Sequence, residues 1–309
     1  MPTFSQSAKD VYNQSDDKAE EQEAQYNATQ AKIAAILAAL LASDVSYTRR
    51  ANSSDIRAFN KQLKRTYQKS SKSGKQLIQS AFSKQKIKSV ADLAKAQSML
   101  PIVDLAEYRK QLVDETTKAI PQLVRDNEFK RTMATKVYLG NGKQYTPKLT
   151  EKAINKIVRS NAIFGTAESS INKDTLQLMR KVQGLVDTAV QNKQAPQDFA
   201  EQLAKSFTGK GTKGKAALGR ANAILRTHAS YTYTNAKYLE LENRGAYAYM
   251  VLIGSSHPCP ACIDMDGTTF LMTQFEVGST APPFHVNCQC DIEEIAREDF
   301  VGYMNEANI

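Results

Sequence analysis

HPCPACIDMDGTTF, residues 257–270, and APPFHVNCQCDIEEI, residues 281–295, decide how the C-terminal end of this chain folds. All four cysteines of the sequence fall within them, spaced Cys259-x2-Cys262-x22-His285-x2-Cys288-x-Cys290. Each pair of donors sits on one turn, and the stretch between them brings the two turns around a single ion. That is the pattern of a zinc clamp. Thiolates and imidazole suit a borderline-soft metal and exclude magnesium and calcium. Five donors compete for four places: Cys259, Cys262, His285 and one of Cys288 or Cys290. His257 is a sixth, weaker candidate. Pro282 and Pro283 stiffen the approach to His285. Two other readings stay open: two disulfides, which a reducing compartment disfavours, or buried thiols without a metal. A site with four protein ligands is closed and therefore structural. Neither an HExxH glutamate nor the H-x-E of a zinc deaminase accompanies the donors, so no catalytic residue is expected.

The same stretch contains Asp264-x-Asp266-Gly267-Thr268, the opening of a phosphatase motif with an aspartate nucleophile. Such a motif ends a buried strand. Here Ser255, Ser256, His257, Pro258, Cys259 and Pro260 precede it, and two prolines do not belong in a central strand. Asp264 and Asp266 read as polar turn residues.

Working outward, AYAYMVLI, 246–253, alternates as a strand with Tyr247, Tyr249, Val251 and Ile253 on one side. TTFLM, 268–272, is a second short strand, and CQCDI carries the last. A long helix is expected from Ala216 to Glu242, ended by Gly245, with His228 packed in the core rather than acting as a ligand. Between 208 and 219, TGKGTKGKAALG spells most of a P-loop, but Ala216 replaces the magnesium-binding hydroxyl and a helix, not a strand, precedes it. It reads as a flexible basic loop. Pro196 suits the first turn of a helix over 196–207. KVYLGNGKQYTP, 136–147, reads as a hairpin. Pro101 and Pro121 mark breaks or first turns in an otherwise helical 89–139. Residues 1–15 look loose. A helix then runs from Asp16 to Ala42, with acids in its first turns and a stripe of Ile33, Ile36, Leu37, Leu40 and Leu41 that suits either a core or a partner.

The net charge of +9 is uneven: −4 over residues 1–48, +19 over 49–219 and −6 over 220–309. The most basic segment holds Arg49, Arg50, Arg57, Lys61, Lys64, Arg65, Lys69, Lys72, Lys75, Lys84, Lys86 and Lys88 against one acid, Asp55. Ile56, Phe59, Leu63 and Tyr67 recur beneath them at helical spacing, predicting an amphipathic helix with a cationic face and then a looser SSKSGK stretch. Neutralising phosphates is one use for such a face. A solvated surface, or one that docks on an acidic protein, is the other. Any nucleic-acid contact would be backbone-directed and sequence-indifferent. No apolar run is long enough to cross a bilayer, and no signal peptide opens the chain, so synthesis and assembly in a cytosol are expected. The predicted fold is mainly α: an acidic N-terminal helix (1–48), an elongated basic helical body (49–215), and a long helix plus a small zinc-clamped β or α+β domain (216–309).

Arg226-Thr227 on a long helix, then an apolar strand, Cys259-Pro260-x-Cys262, Gly267, and Pro283-x-His285-x-Asn287-Cys288-x-Cys290 together resemble the minor head protein family of tailed bacteriophages, the phage head morphogenesis domain. The likeness is loose over about 120–295 and specific over 220–292. His228 stands where Glu often follows Arg-Thr, and Gln289 replaces the usual Arg between the last cysteines. The resemblance implies a structural virion protein, not an enzyme. It implies residence inside the capsid, association with the portal and other capsid or scaffold proteins, and a part in procapsid assembly and DNA packaging or delivery. The basic body would then face double-stranded DNA without sequence specificity, with no small-molecule substrate.

Overall fold

The computed structural model describes residues 4–42, 47–83, 85–135, 150–159, 165–209 and 216–300. It is mainly helical: α1 (Gln6–Leu41), α2 (Ser53–Lys69), α3 (Lys72–Phe82), α4 (Val90–Thr135), α5 (Glu151–Arg159), α6 (Ala167–Gln191), α7 (Pro196–Phe207) and α8 (Ala217–Arg244) precede β1 (Ala248–Ile253), a short α9 (Pro260–Met265), β2 (Thr269–Leu271) and β3 (Cys290–Ile295). The chain packs into two compact units. One comprises Met1–Lys18, Val113–Ala167 and Ala223–Ile309, the other Ala19–Leu112 and Glu168–Asn222.

In the first unit, β1 is the centre of a three-stranded antiparallel sheet of order β2-β1-β3. The alternation read from the sequence holds within the strand. Tyr249 and Val251 share a core with Ile292, Cys262, Cys288 and Cys290, while Ala248 and Met250 pack with Ile295 and Phe300. Tyr247 precedes the strand instead of joining that first face, is 40 % exposed, and meets Phe300 edge-on. Gly245, at φ +79°, ends α8 as expected. A second core joins α1, α4, α5 and α8 through Val11, Tyr12, Ile120, Val124, Ile157, Ala229 and Tyr233.

The N-terminus departs from the sequence reading. Residues expected to be loose form the start of α1, with Ala8, Val11 and Tyr12 buried. Ser5 caps this helix, its Oγ accepting from Ala8 N at 3.1 Å. Its own N–H donates to Asp291 Oδ2 at 3.1 Å. The acids from Asp16 onward therefore lie beyond the first turn, where the helix dipole does not reach them. The apolar stripe further along is core: Ile33, Leu37 and Leu40 are buried.

In the second unit, α2 buries Phe59 against Ala51, Leu93, Ala96 and Leu100. SSKSGK is not loose. Ser71 caps α3 by accepting from Gly74 N at 3.1 Å, and the next residues are helical because Leu77 and Ile78 are buried beneath them. Pro101 and Pro121 lie inside α4 without breaking it. Each proline forfeits one backbone bond, but Met99, Leu100, Ile102 and Val103 around the first, and Ile120 and Val124 around the second, are buried, and that packing outweighs the loss. Pro196 opens α7 as expected. The hairpin expected over 136–147 and Lys84 lie outside the described residues, as does 210–215 of the basic loop.

Candidate metal centre

Two turns carry the cluster, and they are built alike. Cys259 caps α9, with Pro260 in the first turn, where its missing N–H costs nothing. The Cys262 N–H closes back on the Cys259 carbonyl at 3.0 Å. In the second turn the Cys288 N–H closes on the His285 carbonyl at 3.3 Å. The approach to this turn runs through a cis Pro282–Pro283 bond.

The side chains converge. Donor atoms of Cys259, Cys262 and His285 lie within 4.8 Å of one another, as do those of Cys262, Cys288 and Cys290, so both groups could hold a metal ion and Cys262 belongs to each. Cys262 Sγ is 3.0 Å from His285 Nε2 and 3.8 Å from Cys288 Sγ. All four cysteines are free thiols, so the two-disulfide reading is not the arrangement seen. His257 belongs to neither group; it is exposed and bonded to Ser256 Oγ at 3.0 Å.

The chemistry of the donor set fits a metal. His285 Nδ1 donates to the Val286 carbonyl at 2.8 Å, which leaves the Nε2 lone pair facing the thiols. A hydrogen bond from Cys290 draws the Cys288 thiol down to about 6. Burial, followed by the charge of Cys288, pushes Cys262 up to about 12. Cys290 is raised as well, first by its bond to Cys288 and then by burial. Sulfurs crowded this closely cannot all ionise without a cation between them.

The turns are pinned from α8. Asn287 takes a left-handed backbone, φ +66°, which asparagine tolerates better than most residues. That conformation aims its N–H at Thr227 Oγ1, 2.9 Å away. Arg226 pairs with Asp16 of α1 at 2.6 Å. The Arg-Thr dipeptide thus ties α8 to α1 on one side and to the histidine turn on the other. His228, next in line, is 7 % exposed and held down at about 4 by burial, a core residue as the sequence suggested.

Asp266 is a turn residue. It caps α9 and its Oδ1 accepts from Ile253 N at 3.0 Å, while Gly267 follows at φ +73°. A short helix, not a strand, leads into it.

Sequence reasoning missed the polar seam behind the cluster. Asp291 and Glu293, alternate residues of β3, meet Tyr233 and Lys237, one turn apart on α8. Tyr233 OH donates to Asp291 Oδ1 at 2.7 Å, and Lys237 Nζ to Glu293 Oε1 at 2.8 Å. Tyr12 OH donates to the Cys290 carbonyl at 2.7 Å. The only signal was two acids at alternate positions in a strand, which reads equally well as a solvent face.

The cationic segment belongs to the second unit. Its ends are joined where Arg50 bridges Ser89. Arg49, Arg50, Arg57, Lys61, Lys64, Arg65, Lys69, Lys72, Lys86 and Lys88 are exposed, and Lys75 is half-buried over the Tyr67 ring. Arg57, Lys61, Lys64 and Arg65 fall on one face of α2 and, among the described residues, form no salt bridge.

The stretch carrying the cluster is similar to a phage head protein domain. Residues 180–293 match the model of the family described as Phage Mu protein F like protein. All five donors, Arg226, Thr227 and Asn287 lie within that match. No curated protein and no solved structure matches the chain. No helix among the described residues is long and apolar enough to cross a membrane.

Proposed function

We propose that the protein is a structural minor head protein of a tailed bacteriophage, associated with the portal and acting in procapsid assembly and in DNA packaging or delivery. The match of residues 180–293 to the Phage Mu protein F like family carries this reading. The chain would work in the host cytoplasm during assembly and stay inside the capsid, among portal, capsid and scaffold proteins. The test is co-expression with the portal and capsid proteins of the same phage. The tagged chain is expected to bring the portal down with it, and heads assembled without it to be defective. Normal heads in its absence would sink the proposal.

One structural zinc ion is the proposed occupant of the cluster, because thiolate and imidazole donors select a borderline-soft ion. It would clamp the two turns to one another. With four protein donors the coordination sphere is closed, so a non-catalytic role is proposed. Elemental analysis of protein purified under reducing conditions is expected to find about one zinc per chain, lost in Cys259→Ser. Asp266→Asn, which keeps an acceptor for Ile253 N, is expected to leave head assembly intact. The exposed cations of α2 are proposed to contact double-stranded DNA through its phosphates, without reading bases.

A further inference from the structure

We infer that Ile263 and Val286, edged by Asp264 and Asp266, form a docking site for a short segment of another head protein, one with an apolar anchor flanked by lysine or arginine. This rests on the structural head-protein reading and names the surface that such a partner would use.

Single exposed aliphatics are ordinary on a protein surface, whereas grouped ones mark contact sites. Three large apolar side chains stand exposed among the described residues: Tyr247, Ile263 and Val286. Tyr247 is accounted for, since Phe300 meets it edge-on and the Arg297 guanidinium lies over its ring at 4.9 Å. The other two, 55 % and 48 % exposed, fall on the two turns of the cluster. Ile263 follows Cys262, Val286 follows His285, and Cys262 Sγ is 3.0 Å from His285 Nε2. Both backbones are fixed in place. The Ile263 N–H closes on the Cys259 carbonyl at 3.0 Å, and the Val286 carbonyl accepts from His285 Nδ1 at 2.8 Å. A partner therefore meets a surface that needs no ordering, which favours binding.

The charge around the two side chains sets the chemistry of that partner. From Gly245 to Ala296 the sequence has six carboxylates and no lysine or arginine. Asp264 and Asp266 are exposed beside Ile263, and Asp264 has no partner among the described residues. On the side of Val286, Arg226 stands next to the Thr227 that holds Asn287, but Asp16 neutralises it at 2.6 Å. Apolar side chains edged by negative charge repel duplex phosphates and acidic proteins and attract a basic segment. Two anchors are too few for a broad interface of about 800 Å² per partner, so the occupant is a short segment. A second copy of this chain fits less well. Its cationic α2 face presents no exposed large apolar side chain among the described residues.

The experiment probes the full chain with short overlapping peptides that tile the portal, capsid and scaffold proteins of the same phage. Bound peptides are expected to carry an aliphatic or aromatic residue flanked by lysine or arginine. In solution, Ile263→Ser combined with Val286→Ser is expected to weaken such a peptide by roughly tenfold or more, the loss that follows truncation of interface anchors. Its thermal midpoint should match wild type, because both side chains are exposed. Asp264→Lys is expected to weaken binding and to flatten its salt dependence. An array with no bound peptide would overturn the inference. So would self-association in the ultracentrifuge that the double variant abolishes, which would assign the surface to a second copy. Peptide binding unchanged in the double variant overturns the inference and leaves the functional proposal standing, whereas normal heads assembled without the chain remove that proposal itself.

Discussion

His228 lies midway along α8, where its ring is largely shielded from water. Burial lowers its pKa from 6.5 to about 4, so it is neutral in the folded chain over a range where the unfolded chain would protonate it. Between about pH 6.5 and 4 the unfolded state binds the extra proton. Stability is therefore complete above that window and is lost as pH falls through it. A shift of this size is worth roughly 3 kcal/mol at about 1.4 kcal/mol per pH unit. In His228→Gln that part of the acid sensitivity should vanish: denaturant midpoints of wild type and variant, measured from pH 7 to 4, should converge as the pH drops. Parallel curves would contradict the burial argument. The same scale shows what was legible at the site. Cysteine and histidine spacing marked all five side chains that the fold gathers into the cluster, because metal chelation needs particular atoms at particular intervals. Thr227 and Asn287 appeared only as letters of a resemblance. Their bond links residues 60 apart in sequence, and no local pattern encodes a contact of that range.

Among the elements, those with their own punctuation were the readable ones. Pro196 opened α7, Gly245 closed α8, and alternation drew β1. Where tertiary burial decided the outcome, local signals misled. Serines and a glycine suggested a loose stretch, yet α3 forms there over Leu77 and Ile78. Two prolines suggested breaks, yet α4 runs on through buried neighbours on both sides. The pairing of β3 with α8 was equally invisible. Lys237 and Glu293 are 0 % and 3 % exposed and 2.8 Å apart. Removing one partner of so buried a pair strands the other charge, so Lys237→Met should cost about 3–5 kcal/mol. The double variant Lys237→Met, Glu293→Leu should recover most of that loss, since an apolar pair of similar volume is often neutral or better. Thermal denaturation of the three variants tests this. A double variant as unstable as the single one would mean that the ion pair does more than compensate itself.

Across the whole molecule, the uneven charge has a direct experimental consequence. If the exposed face of α2 meets DNA through phosphates, then log K should fall linearly with log salt, because each contact releases a counterion. Arg57→Glu, Lys61→Glu, Lys64→Glu and Arg65→Glu combined should flatten that slope and weaken binding equally for any sequence. Binding measured by gel shift or anisotropy that ignores salt would remove DNA from the proposed function. Composition made this surface legible, since charge density needs no fold to be counted. What composition does not encode is the meeting of α1 with β3. Ser5 meets Asp291, and Tyr12 meets Cys290, across separations of 286 and 278 residues. At ribosomal speeds of roughly 5–20 residues per second, the first turns of α1 leave the ribosome something like 15–60 s before their partners exist. Through that interval the Ser5 N–H and the Tyr12 hydroxyl lack their acceptors on β3. A chain stalled before β3 would leave these two donors at the start of α1 unsatisfied.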